Sequence, residues 1–216
     1  MSAIGIMGGT FNPIHLGHIE IAKAAYSQFP LDEIWFMPNH SPGYKSDREV
    51  ISAEDRLAMV ELAIQDYSYF RSSDFELKRE GPTYSAETFS LLHQQYPGDT
   101  FYFIIGADSL YYFEKWKNPE TIVQYATMLV APRDEKNAVR ISIKMNELNQ
   151  KYQRSAFLPL NCKEIPCSST KIREQLGNSK YNAAYTDANI VKELYLPVPV
   201  YQYIRKHNLY QMKEDH

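Results

Sequence analysis

A chain of 216 residues with 44% hydrophobic residues, 23% charged residues and a formal net charge of −3 can bury a sizeable core without disulfides or a structural metal. The composition excludes a disordered chain, a collagen-like fibre and a disulfide scaffold, and the near-neutral charge excludes a strongly basic coat for nucleic acid. No run approaches the ~18 apolar residues of a membrane span. At about 150 residues per domain, a single domain over 1–216 is expected, with a frayed polar end at 211–216. The first residues show neither a basic region nor a cleavage-site pattern, so no signal peptide is expected. Cys162 and Cys167 could form a redox pair or half of a metal site. The plainer reading is two thiols in a reducing compartment, which places the protein in the cytoplasm.

In chain order, residues 3–7 read as a short strand running into glycines, and 16–29 as a helix stopped by Pro30. Residues 34–37 are a buried-strand candidate, and 39–50 a loop with Pro42-Gly43 at its centre. Ser52 caps a helix that continues to Ile64. Residues 69–77 alternate as an extended segment, and 85–96 are helical. The strand at 100–105 is filled with β-branched and aromatic residues, and an irregular stretch follows it. A helix over 119–125, a strand over 127–131, a helix over 142–152, a strand over 156–160 and a helix over 169–176 complete the pattern. Strands alternating with helices imply an α/β fold, a Rossmann-like doubly wound parallel sheet with helices on both faces.

Two clusters carry the chemistry. The first, Gly8-Gly9-Thr10-Phe11-Asn12-Pro13-Ile14-His15-Leu16-Gly17-His18, links the first strand to the first helix. Glycines there let a ligand approach the backbone, and a helix N-terminus with free N–H groups suits phosphate. His15 and His18 stand three apart and can face one ligand, donating hydrogen bonds in either protonation state and adding charge when protonated. An ordinary strand-to-helix turn has the same form, and His-x-x-His is also half a zinc site, although no third ligand has suitable spacing. Neither the P-loop nor the dinucleotide fingerprint fits these glycines. The second cluster, Pro166-Cys167-Ser168-Ser169-Thr170-Lys171-Ile172-Arg173, opens a helix with hydroxyls and bases suited to a polyphosphate. An N-cap followed by solvated bases is the alternative.

Together the clusters resemble the two signatures of the HxGH nucleotidyltransferases: Gly-Thr/Ser-Phe-Asp-Pro-x-His-x-Gly-His, and Ile-Ser-Ser-Thr-x-Ile/Val-Arg. Asp74-Phe75-Glu76-Leu77, Gly81-Pro82-Thr83-Tyr84-Ser85, and Ile105-Gly106-Ala107-Asp108-Ser109-Leu110 with Trp116 narrow the resemblance to bacterial nicotinate-nucleotide adenylyltransferases. Two departures stand out. Asn12 replaces the usual Asp, and Cys167 the usual Ile.

The resemblance implies a reaction of ATP with nicotinate mononucleotide that gives deamido-NAD and pyrophosphate, with Mg²⁺ carried on ATP and no metal ligated by the protein. It implies that His15 and His18 hold the reacting phosphates, that Ser168, Ser169 and Arg173 hold the leaving phosphates, and that Lys45 adds charge from its loop. Gly8, Gly9, Thr10 and Phe11 would contact ATP. Gly106 and Asp108 would meet its adenosine half, although a loop N-cap would equally explain Asp108. Tyr84 and Ser85 would offer backbone N–H groups to the nicotinate carboxylate, Trp116 would stack on the pyridine ring or simply pack in the core, and Arg133 would assist phosphate binding. Neither nucleic acid nor membrane is an expected partner, and a homo-oligomer is left open. Two rival readings share the fold: pantetheine-phosphate adenylyltransferase, which lacks the Gly-Pro-Thr-Tyr and Trp116 segments, and a silent nucleotide-binding regulator, against which the intact His15, His18 and Arg173 argue.

Overall fold

Six apolar runs form one parallel sheet in the computed structural model, which describes residues 1–40, 50–132, 138–163, 165–178 and 186–211. The strands are β1 (Ala3–Gly9), β2 (Glu33–Pro38), β3 (Phe70–Ser72), β4 (Thr100–Gly106), β5 (Ala126–Ala131) and β6 (Phe157–Pro159), ordered β3-β2-β1-β4-β5-β6. Parallel strands need crossovers, and helices supply them: α1 (Leu16–Gln28), α2 (Ala53–Ile64), α3 (Ser85–Gln95), α4 (Ala107–Tyr112), α5 (Pro119–Tyr125) and α6 (Ala138–Lys151), while α7 (Ser169–Leu176) follows the last strand. The chain then adds α8 (Asp187–Leu194) and α9 (Val198–Lys206).

The pleat sorts the core into two layers. Met7, Ile34, Phe36, Ile104 and Leu129 face one layer with residues of α1, α2, α7, α8 and α9. Ile4, Ile6, Phe103, Ile105 and Met128 face the other, with residues of α3 to α6. Burial on both faces explains why these strands read as near-continuous apolar runs. The strand order reverses between β1 and β4, which pair from Ala3↔Thr100 to Met7↔Ile104. At such a reversal the crossovers diverge to opposite faces and leave a crevice at the carboxyl ends of the strands. Gly8 and Gly9 end β1 there, and Gly106 ends β4.

Three expectations need correction. Of residues 69–77, only Phe70–Ser72 is strand, because β3 is an edge with β2 as its one neighbour. The chain then turns through Lys78 N–H to Asp74 O and Arg79 N–H to Glu76 O. The stretch after Ile105 is helical rather than irregular, since Gly106 breaks the strand and caps α4, and a 3₁₀ turn follows at Phe113–Lys115. The segment beyond Leu176, where no element was expected, carries two amphipathic helices that bury Ile190, Leu194, Val200, Tyr201 and Ile204. Most of the expected loop at 39–50 and all but the first residue of the frayed end lie outside the described residues.

Ser52 caps α2 as expected, accepting from Asp55 N–H. Arg56 then falls on the same stripe as Met59, Val60 and Ala63 and is 1% exposed. Its guanidinium donates to Thr10 O at 2.9 Å and His40 O at 3.1 Å, tying the end of β1 to the end of β2. Truncation would leave a cavity and two carbonyls without their donor. Arg56→Ala should therefore lower the unfolding free energy by about 3 kcal/mol in urea titrations. A loss below ~1 kcal/mol would show that the guanidinium is dispensable to the fold.

Candidate active site

The loop joining β1 to α1 is buried although it is irregular: Phe11 is 2% exposed, Asn12 1% and Ile14 0%. Its carbonyls therefore need partners from elsewhere. Arg56 supplies the one for Thr10, Arg173 Nη1 donates to Asn12 O at 2.9 Å, and Ser169 Oγ donates to Pro13 O at 2.9 Å. Tyr210 O–H donates to the Asn12 side chain at 2.8 Å, and Leu16 N–H donates to Tyr195 O just beyond α8. Phe11 takes a left-handed φ of 48°, which turns the chain so that its ring lies under Gly9, where a Cβ would meet it at 3.2 Å. A Cβ at Gly8 would likewise approach the Phe103 ring at 3.3 Å.

His15 caps α1, and His18 lies one turn on, with ring centroids 3.8 Å apart. His15 N–H donates to His18 Nδ1 at 3.3 Å, so the proton of a neutral His18 sits on Nε2. Phe11 meets His18 edge-on at 5.1 Å. Cys167 Sγ lies 3.2 Å from His15 Nδ1. Gly17 is required by crowding, because a Cβ there would stand 3.0 Å from both Cys167 Sγ and His15 Nδ1. Burial lowers the pKa of His15 to about 4 and holds that of His18 well below its ordinary value. Both rings are therefore neutral at pH 7, which removes the charge that a protonated ring was expected to contribute in the free enzyme.

A cavity of about 430 Å³ opens at the reversal point, lined by His15, His18, Gly106, Asp108, Ser168 and Lys171 among others. It unites residues from the start of α1, the β4–α4 junction and the start of α7, whereas Gly8, Gly9, Thr10 and Phe11 do not line it. Asp108 sits in the first turn of α4, whose N-cap is Gly106, so Asp108 is not itself the cap. Ser168 caps α7 by accepting from Lys171 N–H at 3.2 Å. Ser169 and Arg173 face the loop carbonyls rather than lining the cavity. A larger cavity of about 830 Å³, beside Trp35, Arg71, Phe75 and Tyr96, is lined by Asp74 and Phe75 of the narrowing motif but by none of the predicted site residues.

Tyr84, Ser85 and Trp116 belong to a neighbouring cluster outside this lining. Tyr84 is the N-cap of α3 and Ser85 its first residue, and the Tyr84 side chain makes no capping hydrogen bond. The approach is fixed by Thr88, whose hydroxyl donates to Glu76 at 2.6 Å and accepts from Arg79. Trp116 packs against Phe113 at 5.4 Å and Phe103 at 6.1 Å, and the latter ring is the one beside Gly8. Lys117 Nζ stands 4.1 Å above the Tyr84 ring. Lys45 and Arg133 lie outside the described residues. The sequence reading missed Arg56, Lys117 and Tyr210. Arg56 had a signal, a charge on the apolar stripe of α2, whereas Tyr210 had none.

The lowered pKa of His15 makes stability pH-dependent. Below pH ~6.5 the unfolded chain takes up a proton that the folded chain refuses until about pH 4, so stability falls as pH falls through that window. Between pH 7.5 and 5, His15 should account for a loss of about 2 kcal/mol, and His15→Gln should remove that share of the slope in denaturant titrations. An unchanged slope would mean that the ring is solvated.

A cytidylyltransferase-like family model matches residues 6–175. A protein of Lachnoclostridium phytofermentans named "Probable nicotinate-nucleotide adenylyltransferase" is 42% identical over 97% of this chain and 100% of its own length. One of the same name from Bacillus cytotoxicus is 38% identical over 98% and 100%. In structure, the Plasmodium falciparum nicotinic acid mononucleotide adenylyltransferase complexed with NaAD superposes with a TM-score of 0.75 at 22% identity, over 97% of this chain and 98% of that one. Its likeness shows the shared fold. Identity at this level, across the full length of both relatives, settles the family: the chain belongs to the nicotinate-nucleotide adenylyltransferases.

Proposed function

We propose that this chain transfers the adenylyl group of ATP to nicotinate mononucleotide, releasing pyrophosphate and forming deamido-NAD. The observation that carries the reading is the cavity at the β1/β4 reversal, where His15, His18, Asp108, Ser168 and Lys171 share one lining. The nucleophile is a phosphate monoester whose second pKa is about 6, so it arrives ionised and needs no general base. Its oxygen attacks the α-phosphorus in line, a P–O bond forms, and the bond from the α-phosphorus to the bridging oxygen breaks as pyrophosphate leaves. The protein then needs only to position the reactants and stabilise charge.

Neutral His18 serves as a hydrogen-bond donor through Nε2–H, since its Nδ1 already accepts from the backbone. His15 holds the same phosphates. Ser168 and Arg173 receive the leaving phosphates, and Arg173 does so with the guanidinium nitrogens not engaged by Asn12. Gly8 to Phe11 bring the backbone to the triphosphate, and Asp108 takes a ribose hydroxyl. Lys45 and Arg133 add charge. Mg²⁺ is read as part of the ATP substrate, and no step is routed through it. The start of α3, with Lys117 beside Tyr84, favours a carboxylate over an amide on the pyridine ring, and Trp116 offers it a face. Two free thiols accord with a reducing, cytoplasmic setting.

Pyrophosphate release tests the reading. The purified chain should turn over ATP with nicotinate mononucleotide, and kcat/KM should be at least ~10²-fold lower with nicotinamide mononucleotide. Equal values would sink the assignment of Tyr84 and Ser85, and no release with either mononucleotide would sink the reaction. His18→Ala should cost ~10²–10³ in kcat with the melting temperature preserved. A variant that retains more than about a tenth of wild-type kcat would place the donor elsewhere.

A further inference from the structure

We propose that Cys167 is a positioning residue, whose thiol proton, donated to His15 Nδ1, fixes that imidazole as its Nε2–H tautomer and so supplies the cavity with a second neutral N–H donor. The inference deepens the reading above, on which it rests for the role of His15 and for the direction of the hydrogen bond.

The geometry is specific. Cys167 sits just before the N-cap of α7 and lines the same cavity as His15 and His18, with its sulfur 3.2 Å from His15 Nδ1. The residue stands where the related motif usually has isoleucine, which has no proton to give. Two arrangements satisfy the distance. In one, the thiol donates to Nδ1 and the ring proton is on Nε2. In the other, Nδ1–H donates to sulfur, and Nε2 is left as a bare acceptor.

The surroundings choose between them. Of the two, only the first leaves the ring an N–H to offer a phosphate oxygen. Burial also raises the thiol pKa, and it lowers that of the imidazole, so a neutral thiol faces a neutral ring rather than a thiolate facing an imidazolium. A bare Nε2 would repel the phosphate oxygens that the site is proposed to hold. The first arrangement gives both histidines the same form by two routes: the backbone N–H of residue 15 occupies His18 Nδ1, and the thiol occupies His15 Nδ1. Gly17 permits this closeness, because a Cβ would intrude on both atoms of the pair at 3.0 Å.

Long-range ¹H–¹⁵N correlation spectra of the ligand-free, ¹⁵N-histidine-labelled chain at pH 7.5 read the tautomer directly, with His15 assigned by its absence in His15→Gln. The wild type should show His15 with Nδ1 unprotonated and Nε2 protonated. In Cys167→Ala the two nitrogen shifts should move towards each other as both tautomers become populated, and kcat should fall about three- to tenfold with little change in KM for either substrate. Cys167→Ser keeps a donor and should retain the wild-type pattern. Protonated Nδ1 in the wild type would overturn the proposal, and so would an unaltered tautomer in Cys167→Ala. A lower melting temperature with an unchanged tautomer would show a packing role instead and likewise overturn it. Failure of the wild type to release pyrophosphate would remove the proposed function and leave the spectra to decide the hydrogen bond.

Discussion

A loop that folds inward without regular structure must find donors for the carbonyls it buries, and the β1–α1 loop of this protein draws three of them from side chains outside itself. Arg56 reaches Thr10, Arg173 reaches Asn12, and Ser169 reaches Pro13, from α2 and α7. Each buried carbonyl left without its donor would cost on the order of 1–3 kcal/mol. The loop that leads into His15 and His18 is therefore held by three side chains from two distant helices, and not through any propensity of its own. Tyr195 and Tyr210 extend the same arrangement, so the helical segment after residue 186 acts as a clamp on the site.

The clamp explains what the sequence could and could not reveal. The strands of the central sheet were legible because each is buried on both faces and so reads as an unbroken apolar run. The two glycine–histidine and serine–arginine clusters were legible because a helix start that meets phosphate needs those residue types at short range. Tyr210 was not legible, because its partner Asn12 lies 198 residues away and a tyrosine among 17 carries no local mark. Helices α8 and α9 do show apolar spacing at Ile190 and Leu194 and at Val200, Tyr201 and Ile204, and they would have been found by a longer reading. Residues 69–77 failed for a different reason. Their alternation is real, but an edge strand with a single neighbour ends as soon as pairing with Phe36 ends.

Protonation was the subtler failure. A histidine at a helix start beside phosphate suggests a cation when only the sequence is considered. Burial reverses that in the free chain, and the backbone geometry makes the neutral form useful, since an Nδ1 that is already occupied leaves Nε2–H as a fixed donor. Orientation thus replaces charge as the property that the fold provides. The fixed charges lie elsewhere, on Lys171 lining the cavity and on Arg173 bound to the loop carbonyl.

The replacement of the usual aspartate by Asn12 fits this division. Asn12 is 1% exposed, its carbonyl accepts from Arg173, and its side chain accepts from Tyr210, whose hydroxyl has both Arg56 and Arg173 as charged neighbours. A carboxylate at that position would compete with substrate phosphate for the Arg173 charge, because ion pairing inside a protein is screened far less than in water. A neutral amide satisfies the tyrosine without drawing on either guanidinium. The loop therefore holds Arg173 through a carbonyl, by geometry alone, and leaves its positive charge uncompensated by Asn12 itself. An arginine fixed in place by a neutral partner is better suited to an arriving polyanion than one already neutralised. The orientation of both histidines and the placement of Arg173 thus follow from one buried loop whose carbonyls had to be satisfied.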